Sequence, residues 1–154
     1  MKVEFINPFV KAAIDVLKSE LGTEVERGRL RVDSTKSCNF DVNVMIGVTG
    51  AAQGVVLYSM TEATARNIVG QMMGQPFDEF DALAQSGIAE MGNVITGHAS
   101  RGLSETGFNC NITPPTLITG QNTTIGTLDI PRLALPLTTS CGDIEIHLAL
   151  REIA

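Results

Sequence analysis

Between Phe80 and Ser100 the apolar residues Phe80, Leu83, Ala84, Ile88, Met91, Val94 and Ile95 recur at helical spacing. At roughly 100° per residue they fall in one arc about 140° wide, the stripe that a surface helix buries. The pattern predicts a long helix over 79–105, with Asp78 as N-cap and Gly107 closing it. On the same wheel Ser86, Glu90, Asn93 and Gly97 lie at i, i+4, i+7 and i+11, on the side turned away from the core. Gly87, Gly92 and Gly97 weaken this helix, since each glycine costs about 1 kcal/mol against alanine in a helix interior. Something must offset that loss. Close packing on the core side suits Gly87, and close approach of a partner on the outer side suits Gly97 and Gly92.

The rest of the pattern supplies a second layer. Asn7-Pro8 reads as an N-cap followed by proline at the first helical position, and Phe9, Val10, Ala13, Ile14, Leu17 and Leu21 continue a helix to Gly22. Residues 24–41 are polar and broken, with a strand only around 30–32. Val42–Thr49 and Gly54–Met60 are rich in β-branched residues and predict a hairpin. Thr61 caps a helix whose buried side is Ala65, Ile68, Val69, Met72 and Met73, the methionines as core filler, and Gly74 stops it. Strands follow at 116–119, 124–130, 133–139 and 144–151, the last two joined by a tight turn at 140–143. In the final strand Ile144, Ile146, Leu148 and Leu150 alternate with Glu145, His147 and Ala149, so one side meets a core and the other a wetter environment. The expected class is α/β in the α+β sense: a largely antiparallel β-sheet with helices packed on one face.

Composition narrows the function. At 154 residues the chain is expected to form a single domain over 1–154, burying about two-thirds of its unfolded surface. A net charge of -6, no run of Lys or Arg, and only one Tyr and six Phe argue against a nucleic-acid or anionic membrane surface as partner. No signal-peptide run and no membrane-spanning stretch is found, so a soluble, cytoplasmic protein is expected. Cys38, Cys110 and Cys141 are odd in number and widely spaced, which argues for reduced thiols rather than a disulfide framework or zinc site. His98 lies near the core stripe, where a packed histidine is the expectation. Neither it nor His147 has a Cys or Ser neighbour that suggests nucleophilic catalysis.

The segment Ser86-x-x-x-Glu90-x-x-Asn93 resembles the helical signature of the CheC/CheX/FliY family of chemotaxis phosphatases, an acidic residue or Ser followed by E-x-x-N. Two further segments agree in type and order with CheX-like members. They are Val48-Thr49-Gly50-Ala51-Ala52-Gln53-Gly54-Val55-Val56-Leu57-Tyr58-Ser59-Met60 running to Met72-Met73-Gly74, and Ile112-Thr113-Pro114-Pro115-Thr116 running to Gly120. The agreement spans about residue 42 to the C-terminus. Some members carry two E-x-x-N helices, but the first helix here has Ser19 and Gly22 where Glu and Asn would be needed, so a single site is expected.

The resemblance implies a CheC-like fold and a phosphatase acting on the aspartyl phosphate of the response regulator CheY. It also implies a homodimer joined through the β-sheet. An acyl phosphate hydrolyses spontaneously, so the phosphatase must place a water in line and hold the regulator still rather than supply a nucleophile. A neutral carboxamide can accept from and donate to water without adding charge beside phosphate, which assigns that role to Asn93. Glu90, a turn away, would pair with a cation of the partner, the active-site lysine of CheY by family resemblance. Ser86 stands at the signature's first position as a contact residue or a plain helical serine, and Gly97 completes the partner-facing row. No intrinsic cofactor or metal is implied; Mg²⁺ is expected in the acidic pocket of the bound regulator. The competing reading is a non-catalytic module that binds a receiver domain or a second copy through the same helix. A metal-dependent hydrolase finds no support in one carboxylate and one amide.

Overall fold

The computed structural model describes residues 2–33, 40–127 and 130–153; Cys38 therefore lies outside the described residues. Helix α1 (Val3–Leu21) begins about one turn before the Asn7-Pro8 cap that the sequence suggests, leaving Pro8 inside the helix. The reason is Phe5 and Ile6, both buried. Extending the helix carries the Phe5 ring edge-on against Phe108, with centroids 4.9 Å apart. Burying two such side chains is worth about 3–6 kcal/mol, enough to offset the roughly 3 kcal/mol that an interior proline costs.

Two short strands, β1 (Glu26–Arg27) and β2 (Arg31–Asp33), precede the hairpin of β3 (Val42–Gly50) and β4 (Ala52–Met60). Of these, only β2 falls near the strand expected at 30–32. Helix α2 (Glu62–Met73) is capped as expected, Thr61 Oγ1 accepting from the Thr64 N–H and Gly74 ending the helix in the left-handed region. Helix α3 (Ala82–Glu105) is the long helix. Its cap is Asp81 rather than Asp78, because the Asp81 carboxylate accepts from the Ala84 N–H at 2.9 Å.

The remaining strands are β5 (Cys110–Ile112), unanticipated, then β6 (Thr116–Thr119), β7 (Arg132–Thr139) and β8 (Gly142–Glu152). The strand expected over 124–130 does not form in its described residues, where side chains hold the chain instead of a ladder. Arg132 Nη1 donates to the Ile125 carbonyl at 2.7 Å, and Thr127 Oγ1 to that of Ile130 at 2.9 Å.

The eight strands of the described residues form one sheet in the order β1-β7-β8-β4-β3-β5, with β2 also on β7 and β6 also on β3, each of these pairings antiparallel. The register sets Leu117, Val44, Tyr58, Ile146 and Leu135 in one row across five strands. All five belong to, or pack against, the cluster that buries the inner sides of the three helices. On the opposite face the expected wetter environment is only partial, since Leu57, Ala134, His147 and Ala149 are all buried there. No helix among the described residues is long and apolar enough to cross a membrane.

Candidate functional site

Three of the four glycines in α3 have a packing reason inside the chain. An added Cβ at Gly87 would come 2.8 Å from the Met73 methyl, at Gly92 2.9 Å from Val44, and at Gly102 3.1 Å from Pro8. Gly92 therefore belongs to the inner side of the helix, not to the partner-facing side, and it lets α3 lie directly on β3 and β4. One turn on, buried Thr96 donates from Oγ1 to the Gly92 carbonyl at 2.7 Å. Its proton being committed there, the Tyr58 hydroxyl is the donor in the 2.8 Å bond between the two side chains. Burial pushes the Tyr58 phenol far above its ordinary range, so it stays protonated and able to donate. This bond pins the rotation of α3 about its own axis.

With Gly92, Thr96 and Ala99 turned inward, the row Ser86, Glu90, Asn93 and Gly97 must face outward. Ser86 and Glu90 are exposed, while Asn93 and Gly97 are half-buried. Glu90 and Asn93, three residues apart, have Cβ atoms about 5–6 Å from each other on this face. Neither side chain is engaged in a hydrogen bond or ion pair among the described residues. A Cβ at Gly97 would meet nothing within 4 Å, so no packing within the described chain accounts for this glycine.

Other expectations for this helix change. Leu83, placed in the core stripe by its spacing, is 51% exposed, and Phe80 and Val94 are only half-buried. Met73, expected as core filler, is 39% exposed. His98 is exposed rather than packed, on a shallow groove between α1 and α3 with Lys11, Asp15 and Arg101. The true stripe lies slightly round the helix, through Gly87, Gly92, Thr96 and Ala99. Small and polar residues hide it from a search for large apolar ones.

A second group of titratable side chains sits on the far face of the sheet. His147 Nε2 donates to Glu145 Oε1 at 2.9 Å, and its Nδ1 is 3.5 Å from Asp33. Arg31 reaches Glu145 at 2.8 Å, and Arg132 lies 3.8 Å from Asp33. Asp33, Glu145 and His147 are close enough together to be considered as metal ligands. The chemistry of the set is that of a charge network, however: the two imidazole nitrogens point at different carboxylates, and each carboxylate already has a guanidinium beside it. The sequence hinted at half of this network through the Glu145/His147 alternation, but the β2 residues come to it only through long-range pairing.

Comparison with known proteins agrees with this geometry. The family described as "Chemotaxis phosphatase CheX" matches residues 42–138. The CheY-P phosphatase CheX of Thermotoga maritima is 29% identical over 153 residues, covering 98% of both chains. A CheC-like superfamily protein from a Shewanella species superposes with a TM-score of 0.90 at 26% identity, over 98% of this chain and 99% of the other. A chain in the CheX–CheY–BeF3–Mg²⁺ complex from Borrelia burgdorferi is 30% identical, with a TM-score of 0.83, over 98% of this chain and 100% of its own. Since the matched segment covers more than half of the sequence and encloses the whole of α3, the chain belongs to the chemotaxis phosphatase CheX family.

Proposed function

We propose that this protein hydrolyses the phosphoaspartate of a CheY-type response regulator, with α3 as the surface presented to it. The observation that carries the proposal is the row on α3: a carboxylate and a carboxamide one turn apart, outward-facing and free of partners among the described residues. Their full hydrogen-bonding capacity is available to a visitor. Family membership and the named activity of the Thermotoga maritima relative support the same reading.

In this mechanism the Asn93 carbonyl accepts a hydrogen from a water while its N–H₂ donates to a phosphoryl oxygen, setting the water in line with the bond to aspartate. The water oxygen attacks phosphorus, the bond to the aspartyl oxygen breaks, and orthophosphate leaves with the water's protons beside a free aspartate carboxylate. Mg²⁺ belongs to the regulator's acidic pocket, as the composition of the Borrelia burgdorferi complex suggests. Glu90 docks a cation of the regulator, the lysine implied by the family. A carboxylate at the Asn93 position would repel the phosphoryl group. Ser86 extends the contact, and Gly97 leaves room for close approach. A hundredfold acceleration requires only about 2.7 kcal/mol of barrier lowering, within reach of one oriented water on a rigid helix. A dimer formed through the sheet, as the family resemblance implies, leaves this helical face open.

The test is the decay of radiolabelled phospho-CheY with and without the protein. Asn93→Ala is expected to lose most of the acceleration while still binding the regulator within about twofold, and Glu90→Gln to weaken both binding and rate. An unchanged phosphoryl lifetime with Asn93→Ala would instead identify a pure binding module.

A further inference from the structure

Leu83 and Met73 are two of the five large hydrophobic side chains that the described residues leave exposed, and they come from different helices. Gly87 brings them together. Its missing side chain lets the Met73 methyl lie against α3, where an alanine Cβ would come 2.8 Å from it. Leu83 is one turn back from Gly87, its Cβ about 5–6 Å from where a Cβ on Gly87 would stand. Helix geometry thus puts Leu83 on the flank of α3 against which the Met73 methyl lies, so two exposed apolar side chains from different helices share one side of the helix.

Its position is set by the helix. Leu83 lies about 20° round from Glu90 on the wheel and seven residues earlier, roughly 10 Å along the axis. Patch and row together fit inside a protein–protein footprint of about 800 Å² per partner, roughly 30 Å across. Interfaces of that size draw most of their affinity from a few side chains packed in desolvated contact, while charged and polar groups set register. Methionine is suited to such a role because its unbranched thioether adapts to the surface it meets.

Resting on the function proposed above, we propose that Leu83 and Met73 form the apolar anchor for the receiver domain, gripping apolar side chains that border its phosphorylation site. Glu90 and Asn93 then act on a regulator already held. A second copy of the chain seated on the patch would cover the row some 10 Å away, which the phosphatase needs open. Continuity with the row therefore favours the receiver domain as occupant.

The test compares wild type, Leu83→Ser/Met73→Gln and the conservative Leu83→Met. Three quantities are measured: the Kd for beryllofluoride-activated CheY by calorimetry, KM and kcat with phospho-CheY, and the thermal midpoint. The double variant is expected to raise Kd and KM about tenfold while leaving kcat within twofold, with Leu83→Met close to wild type. Its thermal midpoint should fall by only a few degrees, since each side chain is already 39–51% exposed. A folded double variant with Kd and KM within twofold of wild type overturns the anchor. So does loss of a dimer, by light scattering, with unchanged Kd, which would give the patch to a second copy. A wild type that binds activated CheY without speeding its dephosphorylation defeats only the phosphatase reading, and the Kd comparison still decides the anchor. A wild type that binds no activated CheY overturns both.

Discussion

Gly92 and Gly97 occupy the same helix five residues apart, yet alanine should act on them with opposite sign. At Gly92 the new methyl would sit 2.9 Å from Val44 Cγ1 and 3.2 Å from Tyr58, both fully buried and unable to swing away. Overpacking of this kind costs about 1–3 kcal/mol, more than the roughly 1 kcal/mol of helix propensity recovered. Gly92→Ala is therefore expected to lower stability by about 1 kcal/mol in urea denaturation. At Gly97 the methyl meets nothing within 4 Å, so only the propensity gain remains. Gly97→Ala should add up to about 1 kcal/mol, raising the thermal midpoint by about 2–4 °C. If the open space at Gly97 serves the approach of the regulator, the stabilised variant should also dephosphorylate phospho-CheY more slowly. Unchanged kinetics in a stabilised Gly97→Ala protein would remove Gly97 from the partner-facing surface.

At the level of the element, α3 works because its rotation is fixed, and the bond between Tyr58 and Thr96 fixes it from the sheet side. Thr96→Val strands a buried phenolic O–H and should cost about 2 kcal/mol. Tyr58→Phe leaves Thr96 its bond to Gly92 and should cost about 1 kcal/mol. The double replacement removes both partners together, so its cost should fall short of the sum by more than the 0.5 kcal/mol or so typical of independent sites. Additive losses in urea melts would mean that the two hydroxyls do not cooperate. The sequence made much of this element legible. Period and the E-x-x-N spacing located α3, its C-terminal end and its outward row without any long-range information. Its inner stripe was displaced because Gly92 and Thr96 owe their burial to Val44 and Tyr58 on strands some forty residues earlier. The same limit hid β5, three residues long and recognisable only through its pairing with β3. Leu83 reads as core by period but is 51% exposed, because the buried stripe runs round the helix from it, through Ala84, Ile88 and Ile95.

The whole molecule presents a sheet with two different faces: one welded to helices by apolar side chains, the other carrying a charge network that ties the short β2 to β7 and β8. Glu145 sits at the centre of that network, nearly buried, hydrogen-bonded first to His147 and then to Arg31. These partners outweigh burial and hold its carboxyl at about 2, against an ordinary 4.5. A carboxyl with a depressed folded-state value lends stability that is complete above its unfolded value and disappears as pH falls through the folded one. The window is therefore pH 5 to 2, and the loss across it is about 3 kcal/mol from this group. Glu145→Gln should lower stability at neutral pH and flatten the acid limb, so that variant and wild-type curves of unfolding free energy against pH converge towards pH 2. The row proposed as the phosphatase site, on the opposite side of the sheet, should keep its kcat at neutral pH. Urea midpoints measured at half-unit steps from pH 7 to 2 check this directly, and parallel curves would place the acid sensitivity elsewhere in the molecule.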